Sequence, residues 1–326
     1  MLKVGILGAA GIAPAAIIRP ASRRDDVTIA AVASRSAGSA ELYAREHLIE
    51  RAYGDYMALL HDSDIDLVYV PLPPSEHAAW SIAALEAGKD VLCEKPFAMN
   101  AVQAKGMRAA AESTGRRLIE AFHDRYHPLS LELDVLKASG RLGDIVSLDA
   151  VFWGPNAFDP QALRHKPELG GGSLMDLGCY PVHWVRAFMN EEPTVVSARA
   201  VLNPIGADQS MEASVRFPSG AIARISSNMS EDIQMTNSLD IVGTLGTAHV
   251  HNLVFPSRGH FIREDVAGIV RESTVRGATT YDHQLDAIVR GLTSGETLVT
   301  EGQDSVANMA LIDAIYVAAG IPRDYL

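Results

Sequence analysis

Short apolar runs alternate with helix-like segments through the first third of the chain. The apolar runs predict buried strands at residues 3–7, 27–33, 65–70, 91–93 and 117–122. The segments between them predict helices near residues 12–22, 40–47, 56–60, 75–87 and 100–113. Apolar strands that alternate with helices are typical of a parallel sheet covered on both faces. Residues 1–122 are therefore expected to form an α/β domain with a doubly wound, Rossmann-like parallel sheet.

Residues 123–128 mark the crossing into a second domain, and the pattern changes from about Asp144. Strand-like runs at 145–152, 194–202, 211–217, 221–227, 239–242, 248–253, 261–263 and 269–275 are separated by turns instead of helices. Strands spaced in this way predict a large, mainly antiparallel sheet. A glycine-rich helix interrupts them, and two amphipathic helices are predicted at 280–292 and 303–319. We expect residues 123–326 to form a second, α+β domain.

Composition narrows the class of protein. The 326 residues, of which 48% are hydrophobic and 21% charged, suffice for two ordinary globular domains. The formal net charge of −12 argues against a nucleic-acid partner, because phosphate binding needs clustered Lys and Arg. Cys93 and Cys179 have no zinc or CxxC spacing, as expected for buried thiols in a reducing cytosol.

The first residues imitate a secretory leader. A lysine precedes a mostly apolar run that extends to Ile18. Three glycines and Pro14 interrupt the run, which is also too short to span a membrane. We expect it to belong to the fold, and the protein to be cytoplasmic without a membrane partner.

A dinucleotide-binding loop is predicted after the first strand, at Gly8, Ala10, Gly11 and Ile12. In such loops, glycines permit a tight turn and bring backbone N–H groups to the pyrophosphate. Ala10 stands at the second glycine position, so its methyl group lies where backbone should approach phosphate. The sequence leaves open whether this residue weakens or shifts pyrophosphate binding.

The end of the second strand predicts the cofactor. Sites for NAD usually carry Asp or Glu there to bind the ribose 2′-hydroxyl, whereas this chain has Ser34 and Arg35. A guanidinium between serines suits a 2′-phosphate and can stack on adenine. We therefore expect Arg35 to bind the 2′-phosphate and the protein to prefer NADP over NAD. The alternative is that Arg35 is a solvated loop residue.

Glu94, Lys95 and Pro96 follow the buried run Val91-Leu92-Cys93. Ligands of open α/β sheets bind beyond the carboxyl ends of the strands, where this run ends. A lysine in that crevice can polarise a carbonyl or lower the pKa of a neighbouring hydroxyl. The alternative is an ion pair on the surface.

A second polar cluster occurs on the glycine-rich helix at residues 168–183. Glycines at 170–172 permit close approach of backbone to a ligand, and Ser173 is expected to cap the helix. Asp176 and Tyr180 are four residues apart and should share one face, with His183 nearly on it. The alternative is that all three are satisfied core residues.

The remaining histidines are ambiguous. His77 is either a polar residue at a helix N-terminus or a neighbour of the cofactor. His123 and His127 have the spacing of a helical metal site, but Pro128 disfavours helical geometry at His127. We expect no metal site.

Together these motifs identify a family. Residues 87–96, which end in Glu94-Lys95-Pro96, and residues 170–180 resemble the glucose–fructose oxidoreductase / inositol dehydrogenase family. Residues 69–73, 125–128 and 243–247 match it as well. Because a tyrosine stands at position 180, the chain is similar to the branch with dimeric dihydrodiol dehydrogenase and NADP-linked xylose dehydrogenase.

The resemblance implies roles for individual residues. Lys95, Asp176 and Tyr180 would be catalytic, with the tyrosine as acid/base and the other two assisting it. The cofactor would contact Gly8, Ala10, Gly11, Ile12, Ser34, Arg35, Pro71, Leu72, Pro73, His77, Glu94, Lys95 and Arg125. The substrate would contact Lys95, Trp153, Asp176, Tyr180 and His183. Asp124 departs from the branch, which often has an aromatic residue there.

The function expected from these assignments is hydride transfer between NADP(H) and a sugar, polyol or similar cyclic alcohol or carbonyl. The resemblance also implies a homodimer or homotetramer formed through the C-terminal sheet. A catalytically idle NADP-binding sensor or regulatory protein is the alternative from another class. Metal-assisted lyase or hydrolase chemistry is disfavoured, because the sequence shows no cluster of metal ligands.

Overall fold

The structure, a computed structural model, describes residues 1–321. It divides into two compact units, one of Met1–Phe122 with Tyr281–Val306, and one of His123–Thr280 with residues 307–321. This differs from the expected domains in the placement of residues 281–306, which lie with the first unit. Ion pairs from Arg23 to Asp282 at 2.7 Å and from Arg117 to Glu301 at 2.7 Å join this segment to it. An amphipathic pattern predicts a helix but not the sheet on which that helix packs.

The first unit contains a six-stranded sheet of order β3-β2-β1-β4-β5-β6 in which every neighbouring pair is parallel. Its strands are β1 (Leu2–Leu7), β2 (Val27–Ala33), β3 (Arg51–Tyr53), β4 (Leu67–Val70), β5 (Asp90–Cys93) and β6 (Leu118–Glu120). This is the predicted doubly wound sheet. The short edge strand β3 was not predicted, because its three residues include no fully buried side chain.

Helices connect these strands. They are a π-helical turn at Pro14–Ile18, α1 (Arg19–Ala21), α2 (Ala37–His47), α3 (Tyr56–Leu60), α4 (Pro74–Glu86) and α5 (Ala101–Thr114). All four residues of β4 are buried, as expected for a central strand covered on both faces.

The second unit contains an eight-stranded sheet of order β14-β13-β12-β11-β7-β10-β9-β8. Its strands are β7 (Ile145–Trp153), β8 (Thr194–Leu202), β9 (Asp208–Arg216), β10 (Ile222–Asn228), β11 (Thr236–Gly243), β12 (Gly246–His251), β13 (Phe261–Val266) and β14 (Ile269–Ser273). The β7–β10 pair is parallel and the other pairs are antiparallel. The predicted large, mainly antiparallel sheet is confirmed.

The remaining helices follow β6 along the chain, and nearly all of the helix at residues 280–294 lies with the first unit. They are a 3₁₀ turn at His123–Tyr126, α6 (Pro128–Ala138), 3₁₀ turns at Leu163–His165, Pro167–Leu169 and Pro256–Arg258, a π-helical turn at Leu174–Gly178, α7 (Cys179–Met189), α8 (Thr280–Ser294) and α9 (Gln303–Ala318). Helix α7 packs on β7 and β10, where Phe152 contacts the rings of Tyr180 and Trp184. Within residues 1–321, no helix combines the length and apolarity needed to cross a membrane.

Candidate active site

The residues predicted to bind the cofactor in the first unit follow four neighbouring strands. They come directly after the carboxyl ends of β2, β1, β4 and β5, which are adjacent in that order within the sheet. Parallel strands end at the same edge, so the loops that begin at Gly8, Ser34, Pro71 and Glu94 share it. The fold thus brings together residues that are up to 86 positions apart, from Gly8 to Glu94.

The loop after β1 begins at a glycine with a positive φ. Gly8 has a φ of 102°, and a Cβ there would lie 2.9 Å from Leu72 Cδ2, so the turn favours glycine. Gly11 is exposed, with no heavy atom within 4 Å of the position that its Cβ would take. The Ala10 carbonyl accepts a hydrogen bond of 2.9 Å from the Tyr43 hydroxyl. Tyr43, which the sequence did not single out, therefore holds the loop at the departure from the usual glycine.

Arg35 is exposed after the end of β2, beside Tyr56. Burial raises the pKa of the Tyr56 phenol, and the Arg35 charge acts in the opposite direction. Ser36 caps α2, because its hydroxyl accepts from the backbone N–H of Ser39. The arginine thus lies exposed in the turn that leads into α2.

Glu94 does not belong to a surface ion pair. Its side chain is 8% exposed, and its Oε1 atom accepts a hydrogen bond of 2.6 Å from the Tyr69 hydroxyl. Burial raises the pKa of Glu94, while the hydrogen bond from Tyr69 and the charge of Lys95 lower it. Oε2 accepts from the Lys95 backbone N–H at 3.2 Å. The buried carboxylate therefore fixes the backbone that carries Lys95.

His77 joins the loops after β4 and β5. Its ring is completely buried, with Nδ1 3.0 Å from the Pro96 carbonyl and Nε2 2.8 Å from the Leu72 carbonyl. Burial lowers the pKa of His77 to about 4. A neutral ring has one N–H and donates to one of the two carbonyls. His77 therefore positions these loops from inside the protein. It does not cap α4, whose N-cap is Pro73.

Tyr180 lies near the start of α7 in the second unit. It is 4% exposed, and its hydroxyl lies 3.0 Å from His123 Nε2. The other ring nitrogen of His123 lies 2.7 Å from the Thr280 hydroxyl oxygen. His127 instead caps α6, because its Nδ1 accepts from the Leu129 backbone N–H at the start of that helix. His123 thus contacts Tyr180, whereas His127 caps a helix.

Asp176 lies in the π-helical turn that precedes α7. Its Oδ2 atom is 3.4 Å from Arg164 Nη1, with the two side chains 23% and 51% exposed. Arg164 belongs to a 3₁₀ turn in the long connection after β7. This ion pair joins the π-helical turn to the connection after β7.

A remote carboxylate holds the start of this helix. Asp208 Oδ2 accepts from the Leu174 backbone N–H at 2.7 Å and from the Ser173 hydroxyl at 2.8 Å. Oδ1 accepts from the Tyr316 hydroxyl at 2.7 Å. Burial raises the pKa of Asp208, and these hydrogen bonds lower it. Ser173 occupies the predicted N-cap position, but its side chain makes no capping hydrogen bond, because its hydroxyl donates to Asp208.

The glycines before this helix face protein. A Cβ on Gly171 would lie 2.7 Å from the Arg164 carbonyl oxygen, and one on Gly172 would lie 2.1 Å from Asp208 Oδ1. Gly172 also has a φ of 122°. Both positions therefore favour glycine, because a side chain there would overlap atoms of the protein.

Three other predicted residues of the second unit have local partners. His183 is 1% exposed, and its charge lowers the pKa of Asp124, which burial raises. Trp153 donates from Nε1 to the Ser226 hydroxyl at 2.9 Å. Arg125, expected to contact cofactor, forms a 3.7 Å ion pair with Asp134.

Sequence reasoning missed His123 as a partner of Tyr180, Arg164 as a partner of Asp176, and Asp208 as the anchor of their helix. The motif around His123 was recognised, but its link to Tyr180 spans 57 residues. A local sequence pattern cannot predict a contact between residues that far apart in the chain.

Comparison with known proteins identifies the family. The model of an oxidoreductase family with an NAD-binding Rossmann fold matches residues 2–122, and that of the GFO/IDH/MocA C-terminal domain matches residues 131–249. The chain belongs to the GFO/IDH/MocA oxidoreductase family. The recognition made from the motifs is confirmed, and the protein is an NAD(P)-dependent oxidoreductase.

Several relatives match most of the chain. A D-xylose 1-dehydrogenase (NADP(+)) of Haloferax volcanii is 35% identical over 98% of this chain and 97% of its own length. A trans-1,2-dihydrobenzene-1,2-diol dehydrogenase of Xenopus laevis is 35% identical over 71% of this chain and 69% of its own. Among solved structures, the aldose-aldose oxidoreductase of Caulobacter crescentus, complexed with glycerol, is 26% identical, with a TM-score of 0.89 and coverage of 98% and 97%. The 3-ketoreductase KijD10 of Actinomadura kijaniata, in complex with NADP and TDP-benzene, has the same identity and TM-score, with coverage of 97% of both chains.

The contact between Gly172 and Asp208 predicts a stability effect. We expect Gly172→Ala to destabilise the protein by about 2–4 kcal/mol, because the methyl group strains the backbone and displaces the anchoring carboxylate. Denaturant unfolding measures this difference.

Gly206→Ala is the matched control. Its φ is 93°, but no heavy atom lies within 4 Å of the added Cβ. It should therefore cost only about 1 kcal/mol of backbone strain. Equal losses in the two variants would contradict a specific clash at Gly172.

Proposed function

We propose that this enzyme transfers a hydride between NADP(H) and a CH–OH group, or the matching carbonyl, of a sugar, polyol or similar cyclic small molecule. The observation that carries the proposal is Tyr180. It holds a hydrogen-bonded phenol at the start of α7, at the position that the branch with tyrosine uses as its acid/base. The likeness to a D-xylose 1-dehydrogenase (NADP(+)) over nearly the whole chain supports the substrate class.

The loops at the edge of the first unit's sheet would hold the cofactor. Backbone from Gly8 to Ile12 would bind the pyrophosphate, and Arg35 would bind the 2′-phosphate. The nicotinamide ring supplies a site that accepts or donates hydride when the cofactor is bound. The KijD10 structure contains NADP, which supports the same preference here.

The side chains of this protein would handle the proton. Tyr180 would exchange it with the oxygen of the reacting carbon. A phenol has an ordinary pKa of about 10 and is a poor base at neutral pH, so a neighbouring cation helps. We assign that task to Lys95, whose backbone Glu94 holds in place. Asp176 would accept a hydrogen bond from a substrate hydroxyl and orient the charged groups.

A substrate panel tests the proposal. Aldoses and polyols would be offered with NADP⁺, and ketoses and dicarbonyl sugars with NADPH, with turnover followed by nicotinamide absorbance. We expect turnover with members of at least one set. Tight binding of NADPH without turnover of any compound would contradict the proposed enzyme activity.

Arg35 should determine which cofactor binds. We expect Arg35→Asp to weaken NADPH strongly and NADH little, because an attractive contact to phosphate becomes a repulsive one. Fluorescence titration measures both dissociation constants. Arg45→Asp makes the same change at an exposed arginine of α2 and should alter neither. Equal affinities of the unmutated protein for NADH and NADPH would contradict the assignment.

Lys95 should act on the chemical step. We expect Lys95→Met to abolish turnover and leave NADPH affinity largely intact, because the ammonium assists the reacting oxygen and not the phosphates. Lys105→Met, on the exposed side of α5, is the control. A large loss of NADPH affinity with normal single-turnover chemistry would instead make Lys95 an anchor for cofactor.

Tyr180→Phe should separate chemistry from folding. The ring and its packing remain, so the free energy of unfolding should change little. Loss of the proton donor should lower kcat by a factor on the order of 10² to 10⁴, with an unchanged KM for NADP. Tyr53→Phe removes another hydrogen-bonded phenol, on β3, as the control. Turnover within a few-fold of the parent enzyme would make Tyr180 a packing residue.

A further inference from the structure

We propose that His123 is a positioning residue that exchanges a proton with Tyr180. Its charge would decide whether the phenol accepts a proton from the substrate or donates one. The inference rests on the proposed function and adds the residue that gives a proton to Tyr180 or takes one from it.

The geometry forms a short chain of hydrogen bonds inside the second unit. His123 Nε2 is 3.0 Å from the Tyr180 hydroxyl, and His123 Nδ1 is 2.7 Å from the Thr280 hydroxyl. His123 is 2% exposed and Thr280 is 3% exposed. Buried contacts of this length fix the ring, so Nε2 faces the phenol whatever charge the imidazole carries.

Thr280 selects the tautomer of the neutral ring. Its Oγ1 atom lies 3.5 Å from the Val254 carbonyl oxygen, which accepts the hydroxyl proton. With the hydroxyl donating in that direction, its lone pairs accept from His123 Nδ1–H. Nε2 of the neutral ring is then an acceptor, and Tyr180 O–H donates to it.

The two charge states of His123 give the phenol opposite polarities. Beside neutral imidazole, Tyr180 donates to Nε2 and offers its lone pairs to the hydroxyl of an alcohol substrate. Beside imidazolium, Nε2–H donates to the phenol oxygen, so Tyr180 O–H is available to a substrate carbonyl. Neutral His123 therefore favours oxidation of the alcohol, and charged His123 favours reduction of the carbonyl.

The reaction transfers one hydride from carbon and passes one proton along the hydrogen-bond chain. During oxidation, the substrate C–H bond breaks and its electron pair leaves as hydride to an oxidised nicotinamide dinucleotide. The substrate O–H bond breaks towards Tyr180, the Tyr180 O–H bond breaks towards His123 Nε2, and a C=O bond forms. The proton thus ends on imidazolium, and the phenol is neutral before and after the step. Reduction follows the same path in reverse.

The other titratable groups next to this chain have their own contacts. Asp124, adjacent to His123 in sequence, accepts from Trp184 Nε1 at 2.7 Å, and burial raises its pKa. His183, on the turn of α7 after Tyr180, acts electrostatically on Asp124. His123 is thus a hydrogen-bond partner of Tyr180, and Trp184 is one of Asp124.

Nuclear magnetic resonance of the ligand-free protein tests the geometry without turnover. Protein labelled with ¹⁵N at histidine reports which ring nitrogen carries the proton, and loss of a signal in His123→Gln assigns it. Above the titration of His123, we expect a protonated Nδ1 and an unprotonated Nε2. Tyr180→Phe should shift the Nε2 resonance, and Thr280→Val should produce a mixture of tautomers. A neutral ring protonated on Nε2 would overturn the proposal, because such a ring cannot accept from Tyr180.

Rate profiles against pH test the chemistry. For the unmutated enzyme, kcat of oxidation should rise, and kcat of reduction should fall, as pH increases through the titration of His123 measured by NMR. Gln keeps a polar group at this position but does not titrate, so His123→Gln should lose both of these limbs. His127→Asn replaces a histidine that caps a helix with another capping residue and should keep both. Unchanged limbs in His123→Gln would overturn the proposal.

The two measurements separate this inference from the proposed function. If no sugar or polyol is turned over, the proposed function fails while the tautomer and the response to Tyr180→Phe still decide the link to His123. If turnover occurs and the limbs do not follow His123, the enzyme assignment stands and the inference fails. If His123→Gln does not fold, the spectra of Tyr180→Phe and Thr280→Val decide.

Discussion

The buried carboxylate of Asp208 must be hydrogen-bonded, and its bonds hold several elements of the second unit together. Removing a carboxylate from water is costly unless hydrogen bonds replace the lost hydration. Asp208 obtains these from Ser173, the Leu174 backbone and Tyr316, and so joins β9, the start of the π-helical turn and α9. The turn leads directly into α7, which carries Tyr180. The need to satisfy the buried Asp208 carboxylate therefore fixes the start of the helical segment that carries Tyr180.

The first unit uses the same constraint around Lys95. Glu94 is buried against Tyr69, and His77 is buried between the carbonyls of Leu72 and Pro96. Each polar group is held by a partner from a neighbouring loop or strand, so the loops after β4 and β5 are fixed to each other. Fixed loops are what a site needs to hold a reacting group in place. These residues would act on the reaction through the backbone that they immobilise.

Motifs named some residues of the proposed site, and the structure connects others to them. Lys95, Asp176 and Tyr180 stand in motifs by which the family is recognised, and the match of both family models supports that recognition. His123, which faces Tyr180, and Arg164, which pairs with Asp176, are contacts that those motifs did not indicate. The surroundings of the proposed catalytic groups are therefore known only from the structure.

The sequence by itself determined the features that depend on local pattern, namely the strands and the residues that follow their ends. Apolar runs predicted the strands, and residues that follow strand ends, such as Gly8, Arg35 and Lys95, were expected at one edge of the sheet because parallel strands end together. Only the tertiary structure decided which distant residues meet. His123 and Tyr180 are 57 residues apart, and Leu174 and Asp208 are 34 apart. Such pairs depend on the path of the whole chain, and hydrophobic periodicity specifies a buried face without naming its partner.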